Sequence, residues 1–150
     1  MSDPVTVRFT LREDCADLGP PTYATDGAAG ADLRAAVPEP LTLAPGQRVL
    51  VPTGLTLEIP SGYEGQVRAR SGLALKRGLA LANGVGTIDA DFRGPVGVIV
   101  VNLGAEPVTI ERGERIAQLV IAPVARAVFE PAASLAASAR GPGGFGSTGR

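Results

Sequence analysis

The sequence predicts an all-β domain, and three features of the chain predict it. Its 150 residues include 20 glycines and 13 prolines, a load that interrupts helices but suits short strands joined by tight turns. Apolar and polar residues alternate with period two at 5–12 and again at 55–59, the pattern of a strand with one buried face. Residues 96–103, VGVIVVNL, form an apolar run rich in β-branched side chains, which reads as a strand buried on both faces. An apolar fraction of 45% over this length is enough for one domain with a real core.

Charge and composition narrow the chemistry. The formal net charge is −1, so a broad basic footprint for nucleic acid is absent and any anion must be gripped locally. Cys15 is the single cysteine, which excludes a disulfide framework and a thiolate zinc cluster and fits a reducing cytoplasm. The chain has no histidine, so Ser-His and Cys-His nucleophile systems and imidazole metal sites are excluded. Carboxylates, hydroxyls, guanidiniums and backbone amides remain, with an oxygen-liganded Mg²⁺ as the metal option. The N-terminus lacks a basic and apolar signal pattern and no apolar run approaches a membrane span, so a soluble, unexported protein is expected.

The elements follow in order. Val5, Val7, Phe9 and Leu11 alternate with Thr6, Arg8, Thr10 and Arg12 to make strand one. Gly19-Pro20-Pro21 breaks the structure. In YATDGAAGADLRA, 23–35, the small residues before Asp32 allow close backbone packing or positive φ, although a Gly-Ala loop with a solvated Asp reads equally from them. Within LTLAPGQRVLVPTGLTLEIP, 41–60, Pro45-Gly46 is a turn between two strands, and Pro60 stops the alternation of Leu55, Leu57 and Ile59. YEGQVRAR, 63–70, alternates as a further strand. SGLALKRG, 71–78, reads as a short helix over about residues 71–77, with Ser71 as N-cap, Lys76 and Arg77 suiting the C-terminal dipole, and Gly78 as the left-handed stop. An arginine before that helix N-terminus makes either an anion site or a plain capped helix.

LANGVGTIDADFRG, 81–94, is the stretch around which the chain is organised. Asn83-Gly84 between apolar runs signals a hairpin with positive φ at both central positions. Asp89 would then sit on the hairpin rim with its carboxylate free to orient a water, or else in an ordinary solvated acidic loop. Glu106-Pro107 turns the chain into Val108-Thr109-Ile110, and ERGE, 111–114, turns it again into a strand over 115–122. Gln118 is the one polar residue within the apolar stretch that follows Arg115, either facing outward or facing a site. Residues 131–139, PAASLAASA, have no amphipathic stripe and read as a linker between a 1–130 core and a glycine-rich 140–150 tail. Phe145, flanked by glycines, followed by Ser147 and Thr148 and bracketed by Arg140 and Arg150, suits wrapping an aromatic anion, with terminal disorder as the plain alternative. The tail also imitates a phosphate-loop spacing, but Ser147 stands where Lys is needed, and a Walker-type NTPase is excluded.

Five segments thus stand in one order: ATDGAAGADLRA (24–35), RSGLALKRG (70–78), NGVGTIDADFRG (83–94), GERIAQLV (113–120) and RGPGGFGSTG (140–149). Together they resemble the five motifs of the trimeric dUTP diphosphatase (dUTPase) family, over almost the whole chain. The resemblance implies a distorted jelly-roll, β-clip barrel-like subunit in a homotrimer, with active sites at subunit boundaries and the tail as a lid. It implies a cytoplasmic enzyme that hydrolyses dUTP to dUMP and pyrophosphate with Mg²⁺, limiting uracil incorporation into DNA and supplying dUMP for thymidylate synthesis. No nucleic-acid or membrane partner is implied.

By position, Asp89 matches the carboxylate that activates water for in-line attack on the α-phosphorus. Asp32 matches the aspartate that supports the Mg²⁺ shell through water, with no direct protein ligand expected. Arg70, Ser71, Gly72 and Gln118 match phosphate contacts, while Asn83, Thr87, Ile88 and Asp89 match the loop that receives uracil and deoxyribose, with Gly97 as a further backbone contact. Arg140, Phe145, Gly146, Ser147 and Thr148 match the tail that covers uracil and grips the distal phosphates. Phe92 stands where the family usually has a tyrosine under the sugar, which keeps the steric rejection of a 2′-hydroxyl but loses a hydroxyl contact; Ala69 stands where proline is frequent. The rival fold-sharing activity, dCTP deamination, needs a glutamate three residues before Asn102, where this chain has Ile99. A non-catalytic dUTP-sensing trimer is the other rival, and retention of Asp89 and the full tail argues against it.

Overall fold

The structure is a computed structural model that describes residues 4–147 and 149. Among the described residues the order is β1 (Arg8–Leu11), a 3-10 helix (Glu13–Leu18), β2 (Thr22–Tyr23), β3 (Ala31–Arg34), β4 (Leu41–Leu43), β5 (Arg48–Glu58), β6 (Tyr63–Ala69), α1 (Ser71–Arg77), β7 (Leu79–Leu81), β8 (Gly86–Ile88), β9 (Pro95–Asn102), β10 (Val108–Ile110) and β11 (Arg115–Pro123). All pairings are antiparallel, in sheets ordered β1-β5-β9-β7, β10-β4 and β2-β3-β11-β6-β8. The all-β expectation with one short helix is met.

The core forms where the inward faces of these sheets meet. On β5, Val51, Leu55 and Leu57 point inward every second residue, and Ile59 continues the row. They join Val96, Val98 and Val100 of β9 and Leu33, Val67, Ile116 and Leu119 of the five-stranded sheet in one cluster. A bulge between Arg115 and Ala117 in the β3–β11 register inserts one residue. Ile116 and Ala117 are consequently both buried, and Arg115 and Gln118 fall on the same outer face although an unbroken strand would put them on opposite ones.

Three expectations need correction. Residues 79–88 are not a hairpin: β7 pairs with β9 and β8 with β6, so the Asn83-Gly84 turn carries the chain from one sheet to another. Gly84 has φ +71, its N–H donates to the Leu81 carbonyl, and Asn83 stays out of the left-handed region; only one of the two turn positions needed positive φ. Ser71 does not cap α1; Arg70 is the N-cap, with extended backbone and no side-chain cap bond, while Gly78 ends the helix at φ +68 as expected. β9 is buried on one face only, since Ile99 is exposed and Gly97 half-buried on the other, where they line a cleft.

The 3-10 helix docks through Cys15, which is fully buried against Gly54. Arg112 fastens it further: its guanidinium donates to Asp17 Oδ1 at 2.7 Å, to the Asp14 carbonyl at 2.6 Å and to the Val37 carbonyl at 3.4 Å.

Gly54 has φ +74, and a Cβ there would stand 2.6 Å from Cys15 Sγ. Gly54→Ala should therefore lower stability by about 2–4 kcal/mol, read by chemical denaturation; an unchanged midpoint would contradict the packing. The hydrogen bond from Arg112 holds the Asp17 carboxyl below its ordinary range. That contribution is complete above the unfolded value of about 3.9 and is lost as pH falls through the lower folded value. Asp17→Asn should flatten the acid limb of the stability–pH curve.

Candidate active site

Two groups of polar residues stand on the outer side of the sheets. The first surrounds a cleft of about 290 Å³ lined by Asn83, Thr87, Ile88, Asp89, Phe92, Gly97 and Ile99, with Leu50 at its edge. That volume lies at the small end for ligand clefts, which run from about 300 Å³ upward. Asp89 follows directly on β8, is exposed, and accepts the Phe92 backbone N–H on its carbonyl at 3.1 Å. The Phe92 ring rests against Gly94, where a Cβ would come within 2.6 Å of it. Gly97 lies beneath Leu50, whose Cδ1 leaves only 2.5 Å for an added Cβ. Asn83 folds back so that its Nδ2 lies 3.3 Å from a Cβ built on Gly86. Asp89 also borders a second, wider cleft with Glu64, Asp91 and Arg126.

The second group centres on Asp32. Cross-strand pairing places Gln118 opposite both Asp32 and Arg68, and Arg115 opposite Arg34, so these residues share one face of the five-stranded sheet. The Asp32 side chain is only 4% exposed. Its Oδ2 accepts from Arg115 Nη1 at 3.1 Å, and its Oδ1 lies 3.5 Å from Arg70 Nε without a hydrogen bond. Arg70 Nη1 donates instead to the Arg115 carbonyl at 2.9 Å. Gly30 is the close approach foreshadowed by the small residues before Asp32: a Cβ there would stand 2.9 Å from Gln118 Cβ. Ser71 and Gly72 are exposed at the start of α1, next to Arg70.

The two groups lie at opposite ends of β6. Ile88 pairs with Gly65, so Asp89 continues the ladder beside Glu64, whereas Arg70 follows the far end of the strand. Six residues at about 3.3 Å each separate the two ends by about 20 Å. Arg70 turns sideways onto Asp32 and the Arg115 carbonyl, away from Asp89. The tail joins neither group: Arg140 Nε donates to the Gly143 carbonyl at 3.0 Å, Ser147 N–H donates to the Gly144 carbonyl at 3.0 Å, and Phe145 is fully exposed with φ +48. Gly146 is exposed beside it, and Thr148, with Arg150, lies outside the described residues. Among the described residues no cluster of three or more acidic, cysteine or histidine side chains could cage a metal ion. Arg115 escapes the sequence reading, because a strand bulge leaves no mark in a single sequence.

Comparison with known proteins places these features in context. The dUTPase family model matches residues 17–149. The chain is 62% identical over 148 residues to a deoxyuridine 5'-triphosphate nucleotidohydrolase of Anaeromyxobacter sp. (strain Fw109-5), covering 98% of this chain and 99% of that one. It is 58% identical to the protein of that name from Methylocella silvestris, covering 99% and 94%. In three dimensions it is similar to the Staphylococcus bacteriophage 80alpha dUTPase G164S mutant with dUpNHpp, at TM-score 0.86 and 27% identity over 97% of this chain and 99% of that one.

Asp32 is buried while its partners Arg70 and Arg115 are 26% and 45% exposed. Asp32→Asn should cost about 1–3 kcal/mol, less than a fully buried pair because solvent screens both arginines. A denaturation midpoint equal to wild type would show that Asp32 is not held by charge.

Proposed function

The chain belongs to the dUTPase family, and on that premise we propose that it hydrolyses dUTP to dUMP and pyrophosphate, with Asp89 orienting the attacking water. The observation that carries the reading is the position of Asp89 at the mouth of a cleft sized for a base and its sugar. Uracil and deoxyribose enter between the 83–89 backbone and the Phe92 ring. A narrow pocket rejects the methyl of thymine by shape, backbone amides reject cytosine through its reversed donor and acceptor, and the Phe92 face rejects a 2′-hydroxyl. Asp89 then holds a water in line with the α-phosphorus and takes its proton as the bond to the pyrophosphate oxygen breaks.

Arg70, the Ser71 and Gly72 amides and Gln118 take the phosphate oxygens, where fixed positive charge and amide dipoles stabilise the transferring group. Since these lie about 20 Å from Asp89 within one chain, the working site joins the Asp89 cleft of one copy to the Arg70 group of another, and a homotrimer supplies three such sites. The tail is the lid: residues 124–145 extend to about 70 Å at most, long enough to reach a neighbour. There Phe145 covers the uracil, and Arg140, Gly146, Ser147 and Thr148 grip the distal phosphates.

Mg²⁺ fits the donor set described above. With no protein cage among the described residues, the triphosphate oxygens and waters would hold it, and Asp32 Oδ1, buried without a hydrogen-bond partner, is the atom to receive one of those waters. Bound there, the ion supplies neutralisation of phosphate charge. Ile99, exposed at the cleft, cannot do acid–base work on an amine, which disfavours deamination of dCTP. No helix among the described residues is long and apolar enough to cross a membrane, in keeping with a cytoplasmic enzyme that limits uracil in DNA and supplies dUMP.

Pyrophosphate release measured with dUTP, dTTP, dCTP and UTP tests the reading. Wild type should turn over dUTP far faster than the other three, and Asp89→Ala should lose at least about a hundredfold in kcat. Binding of dUTP without pyrophosphate release would favour a sensor, and equal rates in wild type and variant would remove Asp89 from its role.

A further inference from the structure

We propose that Arg115 is a positioning residue for the triphosphate, keeping Arg70 available to the substrate by neutralising Asp32 in its place. The proposal rests on the reading of Arg70 as a phosphate contact. It starts from a charge problem: a carboxylate that is 4% exposed is costly unless compensated. Two guanidiniums stand beside it, and they share the task unequally. Arg115 makes the hydrogen bond to Oδ2, whereas Arg70 stays 3.5 Å from Oδ1 without one. A guanidinium has five N–H donors, and the one hydrogen bond that Arg70 makes here goes to the backbone carbonyl of Arg115. The remaining donors are open to an anion.

Arg115 therefore acts on Arg70 twice, through its own carbonyl and through the carboxylate both arginines face. Without the Arg115 guanidinium, Asp32 would draw Arg70 into a two-point carboxylate pair, the strong geometry for this couple, and consume the donors a phosphate needs. The β11 bulge is what makes the arrangement possible, since it brings Arg115 onto the face that carries Asp32 and Gln118. Arg34, opposite Arg115 in register, donates to the Gly113 carbonyl at 2.9 Å and so leaves Asp32 to the other two.

The test is steady-state pyrophosphate release over a range of dUTP concentrations for wild type, Arg115→Ala, Arg115→Gln, Arg115→Lys, Arg70→Ala and the Arg115→Ala/Arg70→Ala double variant. Arg115→Ala should raise KM for dUTP about tenfold or more, the scale of a lost charge-assisted hydrogen bond, with a smaller fall in kcat. Arg115→Lys, which keeps the compensating charge, should recover most of the KM, and the double variant should bind dUTP no worse than Arg70→Ala alone. Should Arg115→Ala fail to fold, Arg115→Gln carries the same comparison. An unchanged KM, a lysine variant no better than alanine, or independent effects of the two arginines would each overturn the role of Arg115. A wild type that releases no pyrophosphate from dUTP would instead overturn the functional reading, so the two failures are distinct.

Discussion

The pairing of β6 is the constraint on which the rest of the structure depends. One edge of the strand holds β8 and the other holds β11, so hydrogen-bond register, and not side-chain chance, fixes where Asp89 and Arg70 stand. β8 pairs with the first half of the strand and hands on to Asp89 there; α1 begins at the other end and takes Arg70 with it. Because strand rise per residue hardly varies, no side-chain motion can merge the two groups inside one subunit. The two groups therefore stand apart within one subunit, which is the geometry behind the proposal that a working site draws on two copies.

Charge is organised on the same sheet. The Asp32 carboxylate is sealed from water, and two guanidiniums stand at ion-pair distance from it. The energetic need of that buried group lends rigidity to two arginines whose long side chains would otherwise sample many rotamers. The buried carboxylate thereby holds two guanidiniums on one face of the sheet. The cleft around Asp89 follows a different logic: apolar side chains such as Leu50, Ile88, Phe92 and Ile99 wall it beside Asn83 and Thr87, and close approaches at Gly94 and Gly97, where no Cβ fits, shape it.

Much of this was legible in the sequence because it rests on local chemistry. Period-two alternation located β5 and β6, an apolar stretch after ERGE located β11, Pro45-Gly46 and ERGE fell on turns, and Gly78 ended α1 in the left-handed region. What stayed hidden depends on partners far along the chain. Asn83-Gly84 has the signature of a hairpin, but β7 and β8 find better partners in β9 and β6, so the turn became a crossing between sheets. The outer face of β9 is left open because the cleft lies over it, a fact about packing that an apolar run does not encode. Arg115 was invisible for the same reason, since its orientation depends on one extra residue in the β11 ladder.

The most direct measurement is activity in mixed oligomers. Asp89→Ala and Arg70→Ala chains, each much slower than wild type alone and carrying different tags, are co-expressed and the doubly tagged species is assayed for pyrophosphate release from dUTP. If each site takes Asp89 from one copy and Arg70 from another, every doubly tagged trimer should hold one intact site, about one third of the wild-type sites. Activity no greater than that of the separate variants would contradict a shared site and place both residues in one chain's own pocket.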